Sequence, residues 1–149
     1  MKRSFLTSQF ETPEQSSGFL LWQTYNKWHR LQSEALAALG LTHVQFVLLA
    51  STCWLALIQQ EITQIMIATQ ASTDPMMTSQ VLRTLEKNGY VIRKVNRSDQ
   101  RERLISPTDK GKQLLKKALV AVETIDANFF EKLGDKQPAF LKELQQLLT

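Results

Sequence analysis

Residues 74–103 read DPMMTSQVLRTLEKNGYVIRKVNRSDQRER. Asp74 is an oxygen acceptor where a helix N-cap belongs, and Pro75 follows at the first helical position, where a missing N–H costs nothing. Val81, Leu82 and Leu85 recur at helical spacing until Gly89 supplies a left-handed stop, so a helix is expected over 74–88, from the Asp74 cap to Asn88. Residues 90–95 (YVIRKV) are rich in strand formers, 96–102 are polar, and 103–106 return as a strand that Pro107 ends. Five cations, Arg93, Lys94, Arg97, Arg101 and Arg103, crowd into this hairpin. A capped helix running straight into a basic hairpin is how a winged helix–turn–helix presents itself to DNA.

The flanking sequence fits that centre. Ala71-Ser72-Thr73 has the length of a helix–turn–helix turn, and 63–70 reads as the short preceding helix with Ile65, Met66 and Ala68 inward. Glu61-Ile62-Thr63 suits either a very short strand or the start of that helix. Thr42 caps a helix over 43–58, with Gln45 completing a capping box. That helix is apolar nearly all round (Val44, Phe46, Val47, Leu48, Leu49, Cys53, Trp54, Leu55, Leu57) and is expected at the buried centre. Gly40 stops an earlier helix over 17–39, whose apolar residues Phe19, Leu20, Trp22, Tyr25, Trp28, Leu31, Ala35 and Leu39 fall three and four apart. Residues 1–16 are polar and read as a loose arm. After the hairpin, Thr108 caps a long helix bearing Leu114, Leu115, Ala118, Leu119, Val122, Ile125, Phe129 and Leu133. Gly134 breaks it, and an amphipathic helix closes the chain over 136–148. The fold class is therefore mainly α with a small β-wing. A winged helix–turn–helix over 40–107 is flanked by helices at 17–39 and 108–149 that carry more apolar side chains than so small a core absorbs. A second copy is the simplest cover for them.

Composition narrows the function. The chain has 149 residues, 43% of them hydrophobic, and a formal net charge of +4. Seven of its cations against four acids lie between residues 74 and 105, so most of the excess positive charge sits in about a fifth of the chain. No apolar run reaches the roughly 18 residues of a membrane span, and no secretory leader is recognisable. The lone Cys53 excludes an intrachain disulfide and fits a reducing cytoplasm. His29, His43 and Cys53 make at most a partial transition-metal site, so no metal or cofactor is expected. No nucleophile–base pattern or phosphate-cradling Gly loop points to an enzyme.

Stepping 100° per residue from Val81 places Leu85, Thr78 and Leu82 on one stripe. Met76, Ser79, Gln80, Arg83 and Lys87 lie opposite, with Met77 and Thr84 on the shoulder. Gln and Arg can bond adenine and guanine edges in pairs, Ser suits several bases, and a Met methyl can touch the thymine methyl. At the hairpin tip Arg97, Asp99 and Arg101 gather, with Arg103 just behind. A guanidinium on a thin loop can enter a narrow minor groove, and Asp99 can hold Arg101 extended by a paired contact.

Taken in order, Gly40-Leu41-Thr42-x-x-Gln45-Phe46, then Leu82-x-x-Leu85-Glu86-Lys87-x-Gly89-Tyr90-Val91-x-Arg93, then Asp99-x-Arg101 and Ser106-x-Thr108-x-Lys110-Gly111 resemble the MarR family of transcriptional regulators over almost the whole chain. The resemblance implies a homodimer on pseudo-palindromic double-stranded DNA, acting as a repressor, with Arg101 in the minor groove and Asp99 orienting it. It also implies an effector pocket between the dimerisation helices and the DNA-binding lobe, for which Trp22, Tyr25, His29 and Trp54 are the aromatic candidates. The start of the recognition helix departs from the family pattern, with Met76-Met77 where many members carry small polar residues, and that leaves base preference open. The alternative is a winged-helix module whose basic hairpin meets an acidic protein; steep salt dependence of DNA binding separates the two.

Overall fold

The computed structural model describes residues 5–149. Six helices and one hairpin follow in the order α1 (Ser17–Ala37), α2 (His43–Ile58), α3 (Gln64–Ala71), α4 (Pro75–Lys87), β1 (Val91–Val95), β2 (Arg103–Pro107), α5 (Asp109–Phe130) and α6 (Gln137–Leu147). The expected 1–16 arm lies partly outside the described residues, and its remainder contains a 3-10 turn at Pro13–Gln15.

Side-chain caps set most helix starts. Thr42 Oγ1 accepts from Gln45 N while Gln45 Oε1 accepts from Thr42 N, closing the capping box. Thr63, Asp74 and Thr108 accept from the third helical N–H of α3, α4 and α5. Gly40 and Gly89 stop α1 and α4 at φ +72° and +82°, where an L side chain is strained. The strands pair antiparallel with Val91 opposite Pro107 and Val95 opposite Arg103. Both readings of Glu61-Ile62-Thr63 are realised. Ile62 O accepts from Ile105 N at 2.8 Å and Thr63 bridges Leu104, adding a stub beside β2, while Thr63 also caps α3.

One core joins these elements. Leu36 of α1, Leu48 and Leu49 of α2, Ile67 of α3, and Leu82 and Leu85 of α4 are fully buried, with Val91 and Ile105 from the hairpin and Leu115, Ala118 and Val122 from α5 beside them. Three expectations need correction. Ile67, not Ile65, points inward from α3; four consecutive apolar residues at 65–68 leave the periodicity undecided, and Ile65 stays 64% exposed. The long helix ends at Phe130, so Leu133 belongs to a 3-10 segment, Glu131–Lys136, bent at Gly134 (φ +54°). And α2 is central on one face only: Phe46, Leu48, Leu49, Thr52 and Leu55 are buried, whereas Trp54 and Leu57 are exposed.

Candidate nucleic-acid interface

The short turn before α4 is locked by one buried threonine. Ser72 takes φ +53°, which swings the chain out of α3. Thr78, fully buried, donates Oγ1–H to Asp74 O at 2.8 Å and lies 2.7 Å from the Thr73 hydroxyl. Asp74 Oδ2 accepts from Met77 N at 2.8 Å. The turn is thereby held from both sides, and α4 leaves it at a fixed angle. Thr78, Leu82 and Leu85 form its buried stripe, as their angles predict, whereas Val81, expected on the same stripe, is only half-buried. Met76, Met77, Gln80, Arg83 and Lys87 are exposed, and Thr84 folds its hydroxyl back onto Gln80 O at 3.3 Å. Ser79 is only half-exposed, at the boundary between the buried stripe and the open face.

At the hairpin tip, Arg101 is 92% exposed yet constrained. Its Nε and Nη2 donate to Asp99 Oδ1 and Oδ2 at 3.1 and 3.3 Å, and its backbone N–H donates to Asp99 Oδ1 at 3.0 Å. These contacts from Arg101 hold the Asp99 carboxyl below its ordinary range, so it is ionised at neutral pH. Loop hydrogen bonds from Glu102 N to Asp99 O, Asn96 N to Glu102 O and Ser98 N to Asn96 Oδ1 keep the tip compact. Arg97 is exposed beside it. Arg103 differs from its neighbours: its Nη1 donates to Gln100 O and Glu102 O, so its guanidinium braces the loop from within. Arg93, counted among the basic residues of the hairpin, turns inward altogether.

The N-terminus of α5 clamps the junction between α4 and β1. Thr108 Oγ1 donates to Gly89 O at 2.6 Å, Thr108 N to Tyr90 O at 3.1 Å, and Lys110 Nζ to Asn88 O at 2.9 Å. A Cβ on Gly111 would stand 2.1 Å from Tyr90 O, so the approach is possible only with glycine. This is why the first-turn glycine of Ser106-x-Thr108-x-Lys110-Gly111 belongs to that motif.

The MarR family model covers residues 41–103, from the turn before α2 to the first residue of β2. An HTH-type transcriptional regulator of Bacillus subtilis, YdcH, is 45% identical over 95% of both chains. The chain belongs to the MarR family. Among solved structures of this family's fold, the transcriptional repressor CouR bound to a 23-mer DNA duplex superposes with TM-score 0.81 at 25% identity, covering 91% of this chain and 94% of that one. A mutant MarR from E. coli complexed with operator DNA superposes with TM-score 0.76 at 26% identity over 88% of this chain and 91% of that one. The chain is thus a helix–turn–helix transcriptional regulator. No helix among the described residues is long and apolar enough to cross a membrane.

The four aromatic pocket candidates of this MarR-family chain fall in three separate places. Tyr25 stacks on His29 at 5.3 Å between ring centroids, and His29 meets His43 edge-on at 4.9 Å, with Trp28 5.1 Å from His43. Trp28 Nε1 and Gln32 Nε2 both donate to Asp126 Oδ1, at 2.8 and 2.6 Å, tying α1 to α5 beneath this stack. Burial lowers the His43 pKa, repulsion from His29 adds to the shift and Asp126 opposes it, so His43 is neutral at pH 7. Trp22 is 63% exposed on the open face of α1. Trp54 instead lines a groove of about 420 Å³ between α2 and α5, with Cys53, Leu57, Leu115, Leu119 and the two lysines Lys112 and Lys116. Those lysines sit four apart on α5, a spacing visible in the sequence but masked there by the general basicity of the helix. Burial pushes the Cys53 thiol up, with Lys112 opposing, so it is protonated at neutral pH.

Proposed function

We propose that the chain is a homodimeric repressor that reads a pseudo-palindromic operator. In this reading α4 enters the major groove, with Met76, Met77, Ser79, Gln80, Arg83 and Lys87 along its contact face, and the hairpin places Arg101 in the minor groove, with Asp99 orienting it and Arg97 at the backbone. The observation that carries the reading is the Arg101–Asp99 pair. A guanidinium that is nearly fully exposed, yet held by two hydrogen bonds to a carboxylate that also accepts from its own backbone N–H, loses less side-chain freedom on insertion than a free arginine does. The pair adds little to folding at such exposure, so its value lies in preorganisation.

Residues 40–107 are the DNA-binding unit in this account, and 17–39 with 108–149 are the dimerisation region. Exposed Phe19, Leu20, Leu21 and Trp22 on α1 and Leu141, Leu147 and Leu148 at the end of the chain support that division, since α6 buries no residue within one copy. Two α4 helices about 34–36 Å apart meet successive major grooves on one face of B-DNA. A small-molecule effector relieves repression by binding better to a dimer whose spacing does not match. The α2–α5 groove, at about 420 Å³, is of a size that suits one.

The test is a titration into duplex DNA with the oligomeric state measured alongside. A dimer contacting six to ten phosphates loses roughly 10³–10⁵ in affinity from 50 to 200 mM salt. A monomer in solution, or affinity flat across that range, defeats the proposal and favours a protein-binding role.

A further inference from the structure

Arg93 stands in the basic run, but its side chain is only 12% exposed and each of its three guanidinium nitrogens has a partner within the chain. Its Nε and Nη2 donate to Gln64 Oε1 at 3.1 and 2.8 Å, and its Nη1 pairs with Glu86 Oε1 at 3.5 Å. Its backbone N–H donates to Glu86 Oε2 at 3.2 Å, so one carboxylate grips both the side chain and the main chain of the same residue. Gln64 opens α3, Glu86 lies in the last turn of α4, and Arg93 is the middle residue of β1. A single planar fork therefore ties the first helix of the helix–turn–helix, its second helix and the hairpin to one another.

We propose that Arg93 is a positioning residue for DNA recognition. It acts through Arg101 by fixing the angle of the hairpin against α4, and it supplies no charge to the DNA. The inference rests on the reading that α4 and the hairpin tip meet the duplex together.

The geometry makes the hairpin a lever. The outer strand is held at its root by Ile105 N to Ile62 O and by the Thr63–Leu104 bridge. The inner strand has its polar tie at Arg93, and beyond that residue only Lys94 and Val95 remain paired before the loop. With about 3.3 Å of rise per residue, the tip stands roughly 15 Å from Arg93, so a rotation of about 10° at the root moves Arg101 by roughly 2.5 Å. Contacts in a recognition site tolerate displacements of only about 0.5 Å. Slack that a folded core barely registers is thus enough to take Arg101 out of the groove. Lysine is a poor substitute, because a point charge on a flexible stem cannot meet Gln64 and Glu86 in one plane.

The test is a double-mutant cycle on a duplex selected from a random pool, with affinity read by fluorescence anisotropy. The variants are Arg93→Gln, Gln64→Ala, Arg101→Ala and the two pairings with Arg101→Ala; thermal midpoints are recorded for all. Gln64→Ala removes two of the guanidinium's hydrogen bonds and leaves the Glu86 pair in place, so it answers the question even where Arg93→Gln folds poorly. Arg93→Gln and Gln64→Ala each weaken binding on the order of tenfold in the native background and less than about twofold once Arg101 is alanine, as expected of residues in one coupled network. A purely structural role lowers affinity by the same factor in both backgrounds, and that additivity overturns the proposal. Unchanged affinity in both single variants overturns it too. Full affinity in Arg101→Ala itself removes the underlying reading of the hairpin, and this inference falls with it.

Discussion

Replacing Gly111 by alanine is a sharp physical test, because two opposed effects can be weighed. Alanine in a helix interior is favoured over glycine by about 1 kcal/mol, an upper bound for Gly111 in the first turn of α5, so an unconstrained site is stabilised. At Gly111 the new Cβ meets Tyr90 O at 2.1 Å, and real Cβ atoms essentially never come closer than 3.0 Å to a neighbour. The start of α5 must therefore retreat from β1 by about 0.9 Å. A retreat of that size stretches Thr108 N to Tyr90 O from 3.1 Å, Thr108 Oγ1 to Gly89 O from 2.6 Å and Lys110 Nζ to Asn88 O from 2.9 Å, all to or beyond hydrogen-bond range. With each net hydrogen bond worth about 1 kcal/mol, the loss is roughly 3 kcal/mol, and after the helix-propensity gain the protein is destabilised by about 2 kcal/mol. Urea unfolding at fixed protein concentration reads this directly, with Gly18→Ala as control: that Cβ meets only Ser16 Oγ at 3.9 Å, so its effect is neutral to stabilising. A Gly111→Ala protein as stable as the native one would refute the close approach as the reason for this glycine.

Other outcomes follow from the same structure. Gln80→Ala and Arg83→Ala each relax preference at defined base positions by about 1–3 kcal/mol, read from selected binding sites, whereas an unaltered preference profile removes them as readers. Asp99→Asn leaves Arg101 in place but loses the paired contact, so binding weakens with no measurable change in thermal midpoint, as suits so exposed a pair. Because the Asp99 pKa is depressed in the folded chain, the contact is fully present above the ordinary carboxylate value of about 4 and is lost only as pH falls through the lower folded value; an NMR titration of its carboxyl carbon checks this. The lowered pKa of His43 gives stability that is present above about 6.5 and declines as pH falls towards its folded value, a decline that His43→Gln diminishes in pH-dependent unfolding. Cys53 alkylates with iodoacetamide at pH 8 more slowly than a free cysteine; an equal rate contradicts its burial.

Much of the fold was legible because local chemistry marks it. Thr42, Asp74 and Thr108 are caps whose partners lie three residues on, so the starts of α2, α4 and α5 could be read from the chain itself. The face of α4 was legible because its apolar residues make one narrow stripe. Where apolar residues are continuous the pattern misleads: it put Ile65 inward where Ile67 is the buried residue, and nothing in 43–58 told that Trp54 and Leu57 stay open in one copy. Charge is the second silence. Arg93, Arg101 and Arg103 look alike in a basic run, and only their partners separate a brace between helices, a presented guanidinium and a loop clamp. Those partners include Gln64, 29 residues distant, which no local pattern connects to Arg93.

The most direct measurement is selection of duplexes from a random pool by the full chain, followed by sequencing. A dimer of this kind enriches a pseudo-palindrome whose half-site centres lie about one helical turn apart, with A·T preference where the hairpins reach the minor groove. Enrichment of a single non-repeated site, or no enrichment above the starting pool, would contradict it.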